Sequence, residues 1–219
     1  MGNRRMGLGR MEKLLESVDR ELNLENSTLL NCTITTNETC TFSGTTKLTG
    51  NTGLTRGSGF SEAETYQSWC EHFGGIIKTS ILIDLTGVIG AGGALDIIGN
   101  VGAASAHIGQ VTAAVCGAVF AGRLTCLELP AGGEPDIDLY ASNVATGTEN
   151  IIITDGALGT ETALVTSGAD MIAGGIAGTF GGFTAMPTAN DYLYLVKGLA
   201  TDTAEYTSGK LLIEMWGTV

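Results

Sequence analysis

The chain has 219 residues, among them 33 Gly and only 3 Pro, with 11 Lys+Arg against 23 Asp+Glu and a formal net charge of -12. That length suits one substantial domain with an arm rather than two full enzyme domains, and a hydrophobic content of 43% excludes a disordered acidic tail. The acidic balance argues against a nucleic-acid partner, and the absence of a Gly-X-Y period excludes collagen.

The chain opens Met1-Gly2-Asn3-Arg4-Arg5-Met6. No apolar run follows the arginines, as a signal peptide would need, and Met6 stands where myristoylation wants Ser or Thr. The stretch from Met171 to Asn190 is uncharged but rich in Gly and Thr, too polar for a membrane span. The expectation is a soluble chain with no membrane partner.

Met11, Leu14, Leu15, Val18 and Leu22 recur at helical spacing, so residues 1–25 are expected to form a basic arm and an amphipathic helix. Glu16 and Arg20 are spaced for an i,i+4 pair. Arg4, Arg5, Arg10 and Lys13 against Glu12 give residues 1–13 a net charge of +3, which leaves -15 on the remainder. One isolated amphipathic helix needs a cover for its apolar face, from its own domain, symmetry mates or a partner.

Residues 26–75 form a second region. Eleven Thr fall within residues 26–57, and the sparse apolar residues Leu30, Cys32, Ile34, Cys40, Phe42 and Leu48 roughly alternate with polar ones. β-Branched Thr favours extended chain, yet the apolar content is too small for an independent core. Such a segment is either a long surface loop or a set of strands completed by other chains. Ser61-Glu62-Ala63-Glu64 then resembles a helix start, with Tyr66, Trp69, Cys70 and Phe73 as its apolar face and Gly74-Gly75 as its end. An irregular lid is the alternative for this bridge.

The third region, 76–219, is strand-rich. Ile76–Leu85 reads as a strand, and others are predicted near Leu95–Ile98, Ala106–Val111, Ala118–Leu129, Ile137–Tyr140, Asn150–Thr154, Ala163–Val165, Tyr192–Val196 and Lys210–Trp216. No run with helical period separates them. The fold class expected is therefore mainly β: an antiparallel β-sandwich or jelly-roll-like domain, preceded by the amphipathic helix and the Thr-rich extended segment.

Chemistry-bearing patterns are few. Cys32, Cys40, Cys70, Cys116 and Cys126 are odd in number and form no C-x-x-C pair, which favours reduced, buried thiols. Three Asn-x-Thr triplets begin at Asn26, Asn31 and Asn37 and read as accidents of the Thr-rich text. Cys70-x-His72 supplies two metal ligands at most, short of a zinc set. Gly87 to Gly93 resembles a nucleotide loop, but Leu95-Asp96-Ile97-Ile98 does not open a helix after it. Asp136 and Asp138 project to one face of an extended chain, where they could sit in a solvated loop, bind Ca²⁺ or act as a glycosidase pair. No catalytic constellation, cofactor or resident metal is expected.

Two stretches carry a resemblance. One is Met1-Gly2-Asn3-Arg4-Arg5 with the short helix, Asn23 to Leu29, and the Thr-rich text through Gly44. The other is Thr125 to Gly133 through Asp136-Ile137-Asp138-Leu139-Tyr140, with Tyr192 to Val196 and Gly209 to Glu214. Together they resemble the small virion structural proteins of tailed marine bacteriophages. The resemblance implies a non-enzymatic capsid decoration or cement protein, a homotrimer whose partner is the major capsid protein. It would sit on the capsid surface of the virion and in the host cytoplasm during assembly. Arg4, Arg5 and Arg10 are then expected to make polar docking contacts, and Met11, Leu14, Leu15, Val18 and Leu22 apolar ones. A tail or head fibre subunit with a receptor- or glycan-binding β-domain is the alternative, ahead of a carbohydrate-active enzyme or a major capsid protein.

Overall fold

A computed structural model describes residues 53–219, apart from 103, 157, 173–174, 177–180 and 200–201. The N-terminal helix, its docking residues and most of the Thr-rich segment lie outside the described residues. The described chain is mainly β. Its elements are a single 3-10 turn at Ser58–Phe60, then β1 (Thr65–Phe73), β2 (Ile76–Asp84), β3 (Gly109–Gln110), a one-turn helix α1 (Ala113–Cys116) and β4 (Ala118–Gly133). There follow β5 (Ile137–Ser142), β6 (Glu161–Val165), β7 (Met171–Ile172), β8 (Gly175–Ile176), β9 (Tyr192–Lys197) and β10 (Thr203–Thr218).

Two four-stranded antiparallel sheets hold most of these strands, in the orders β1-β2-β10-β4 and β3-β9-β5-β6; β7 and β8 form a separate hairpin. The predicted strands at Ala118–Leu129, Ile137–Tyr140, Ala163–Val165, Tyr192–Val196 and Lys210–Trp216 all lie within these sheets. Two do not. Leu95–Ile98 and Asn150–Thr154 belong to no sheet; isolated bridges join Asp96 to Ile152 and Ile97 to Val196 of β9.

The bridge segment is a strand, not a helix or a lid. β1 pairs with β2 over its whole length, from Thr65 opposite Asp84 to Phe73 opposite Ile76. Gly74 and Gly75 are the two-residue turn between them, with φ of 52° and 98°. Only residues tolerant of positive φ make such a tight hairpin, and Gly is the least strained of them.

Burial explains why the two sheets differ. One apolar cluster draws Ile81 and Ile83 from β2, Leu124 from β4, Leu211, Ile213 and Met215 from β10, Leu139 from β5 and Leu193 and Leu195 from β9. A second cluster, with Ile97, Ile153, Leu158, Tyr194 and Val196, covers the opposite face of β9. The β3-β9-β5-β6 sheet is thus buried on both faces along β5, where all six residues are buried. Tyr194 is held in that second cluster by donating to the Val144 carbonyl at 2.8 Å, and burial pushes its hydroxyl up to about 12. The other sheet alternates instead, which leaves its outer face open.

Candidate functional site

Strand register assembles that outer face from residues distant in the chain. Inward-pointing Leu211, Ile213 and Met215 of β10 alternate with outward-pointing Lys210, Leu212, Glu214 and Trp216. Across the strands, Glu71, Lys78, Trp216 and Ala121 form one row, and Trp69, Ser80, Glu214 and Arg123 the next. Gln67, Leu82, Leu212 and Thr125 follow, then Thr65, Asp84, Lys210 and Glu128. The sequence has 2 Trp, and both stand on this face.

Its centre is an ion cluster. Glu214, only 4% exposed, receives Lys78 Nζ at 2.6 Å and Arg123 Nη2 and Nε at 2.5 Å each. Lys78 and Arg123 also lie over the Trp216 ring, at 5.9 and 5.8 Å from its centroid. Burial pushes the Glu214 carboxyl up, but the hydrogen bonds and charges of the two cations outweigh it and hold the group below its ordinary range. A second cluster sits one row on, where Lys210 bridges Asp84 at 3.1 Å and Glu128. Burial raises the Asp84 carboxyl, and the Thr86 hydrogen bonds with those of Lys210 more than reverse this. Each charge of the two clusters is paired on the face, with one excess positive charge in the first cluster and one excess negative in the second, so the Trp216 ring sits within a fixed polar frame. Large apolar side chains extend it at the hairpin end, with Phe73 59% and Ile76 40% exposed.

The residues singled out from sequence fall elsewhere. Arg4, Arg5, Arg10, Met11, Leu14, Leu15, Val18 and Leu22 lie outside the described residues. Cys70, Cys116 and Cys126 are buried thiols, while His72 is exposed at the β1 edge. No group of three or more His, Cys, Asp or Glu among the described residues could hold a metal ion.

Asp136 and Asp138 do come together, but in the interior. Ser167 binds both: its N–H donates to Asp138 Oδ1 at 2.7 Å and its hydroxyl contacts Asp136 Oδ1 and Asp138 Oδ1. Glu134 closes the group by accepting the Asp136 and Asp202 N–H groups at 3.3 and 3.2 Å. Asp136 is 0% and Asp138 4% exposed, which closes the pair to a sugar substrate. Burial pushes both carboxyls up. At Asp136 the Ser167 hydrogen bond opposes this and the charges of Asp138, Glu134 and Asp170 add to it.

The glycine-rich loop has a packing reason. A Cβ at Gly90 would lie 2.6 Å from the fully buried Lys197 stem, whose Nζ donates to the Gly92 carbonyl at 2.8 Å. Gly90 makes room for this lysine, with Asp96 and Glu149 as its charged neighbours.

Sequence reasoning missed the Trp face. In sequence Trp69 reads as part of a helix face or a lid and Trp216 as part of a strand, and only register joins positions so far apart. No helix among the described residues is long and apolar enough to cross a membrane. No protein-family model, curated protein or solved structure matches the chain.

Proposed function

We propose that this chain is a non-enzymatic virion structural protein that binds and stabilises a bacteriophage capsid as a decoration, or cement, protein. The observation that carries the reading is the open sheet face, where both tryptophans stand and where Arg123 and Lys78 pair with Glu214 beside the Trp216 ring. Trp and Arg are the residues that most often dominate binding energy at protein interfaces. Charges already paired with one another need no counter-charge from the surface that covers them.

In this reading the two sheets form a β-sandwich body with the outer face of β1-β2-β10-β4 against the shell. The chain assembles as a homotrimer, and the major capsid protein is its partner. Residues 1–25 add a second contact, polar through Arg4, Arg5 and Arg10 and apolar through Met11, Leu14, Leu15, Val18 and Leu22. Each bound copy buries surface across a boundary between shell subunits, and binding only the assembled state shifts the equilibrium toward it. The place of action is the capsid surface, reached from the host cytoplasm during assembly.

Removing residues 1–25 and measuring occupancy on purified capsids tests the docking arm. Reduced occupancy supports its assigned role, and undiminished occupancy removes it. Copy number separates cement from fibre: cement is present in proportion to the shell protein, whereas a fibre subunit is confined to a few sites per particle.

A further inference from the structure

A cleft of about 560 Å³ lies away from the outer face, between residues 53–56, the β3 strand and Tyr192 of β9. Its size falls within the range of small-ligand sites. Arg56, His107 and Gln110 supply its polar wall, and Leu54, Val115 and Tyr192 its apolar one. Gln110 is paired directly with Tyr192 in the sheet, so these two side chains are fixed by backbone register.

Arg56 is held rigidly. Its Nη1 donates to the Phe60 and Ala63 carbonyls at 3.0 and 3.3 Å, and the guanidinium lies 5.1 Å from the Tyr66 ring centroid. Nε and Nη2 carry three further donors in the planar fork that matches a carboxylate. Arg56 is the one charged side chain among the described lining residues, so a monoanion fits its charge.

His107 packs against the Tyr192 ring at 4.9 Å between centroids. Its Nδ1 is buried and has no hydrogen-bond partner among the described residues. Burial pushes the imidazole below its ordinary value, so the ring is neutral near pH 7 and offers one donor and one acceptor. Gln110 Nε2 donates to the Asn190 carbonyl at 3.1 Å, which orients the amide and leaves its oxygen to accept.

An anion-matching fork, two fixed hydrogen-bonding groups for hydroxyls and an aromatic wall converge in one cleft. We infer that it binds a saccharide residue bearing a carboxylate. Arg56 pairs with the carboxylate, His107 and Gln110 bond ring hydroxyls, and the Tyr192 ring covers an apolar C–H face of the sugar. This inference is independent of capsid docking, since it uses a different part of the molecule.

The test is titration of the full chain with glucuronate, followed by amide and side-chain NMR shifts, with glucose and acetate as controls. Glucuronate is expected to give saturable shifts at His107 and Gln110, with glucose at least about tenfold weaker. Arg56→Gln is expected to abolish the preference for glucuronate. Thr55→Trp, a substitution at an exposed residue lining the cleft, is expected to block binding and decides the matter if Arg56→Gln does not fold. No saturable shift at ligand concentrations up to about 100 mM, equal binding of glucose, or full binding by a folded Thr55→Trp variant would each overturn the inference.

Discussion

Glu214 shows how one residue organises the outer face. Its carboxylate is almost covered, yet it faces away from the core, and Lys78 and Arg123 pay for its burial. A carboxylate whose folded pKa is lowered stabilises the fold above its unfolded pKa. That contribution disappears as pH falls through the folded value. Glu214→Gln is therefore expected to reduce unfolding free energy by about 1–3 kcal/mol near neutral pH. The gap to the parent chain should narrow below about pH 4, as urea titrations at several pH values will show. Asp136 works in the opposite direction. Burial and neighbouring carboxylates raise its pKa, so the folded chain keeps a proton that the unfolded chain has released. Its stabilising contribution is complete below the unfolded pKa and is lost as pH rises through the folded one. Asp136→Asn should consequently flatten the fall in thermal midpoint between about pH 4 and pH 7, measured by calorimetry.

Among the elements, the β1–β2 hairpin is the informative one. Val at position 75 would have to adopt a φ of 98°, which a β-branched residue resists. Gly75→Val is expected to cost about 1–2 kcal/mol in urea unfolding and to loosen the β1 edge. The same hairpin marks where sequence reading ran out. Arg123 to Leu129 and Tyr192 to Leu195 alternate cleanly, because each strand has its two faces in different surroundings, and both were legible. In β1 the apolar residues Tyr66, Trp69, Cys70 and Phe73 fall at helical spacing because Tyr66 and Cys70 face the core while Trp69 and Phe73 face outward. A strand with apolar residues on both faces loses its period of two, and Gly74-Gly75 served equally as a helix end or a hairpin turn. Leu95–Ile98 and Asn150–Thr154 carried strand-like composition because they cover the second apolar cluster, although they enter no sheet. Asp136 and Asp138 were legible as a pair. Their burial was not, since Ser167 comes to them from 29 or more residues away.

For the whole molecule, the sequence divides a net charge of -12 into a basic start and an acidic remainder, and the fold divides its two sheets into one enclosed and one open. The open sheet brings Trp69 and Trp216 together and locks Glu214 beneath two cations. That face is the surface we assign to the capsid. The most direct test is the number of copies bound per purified capsid for the Trp69→Ser/Trp216→Ser double variant, with circular dichroism to establish that it folds. The account predicts a folded variant whose occupancy falls at least about tenfold at matched concentration. A folded variant that fills the capsid as fully as the parent chain would contradict it.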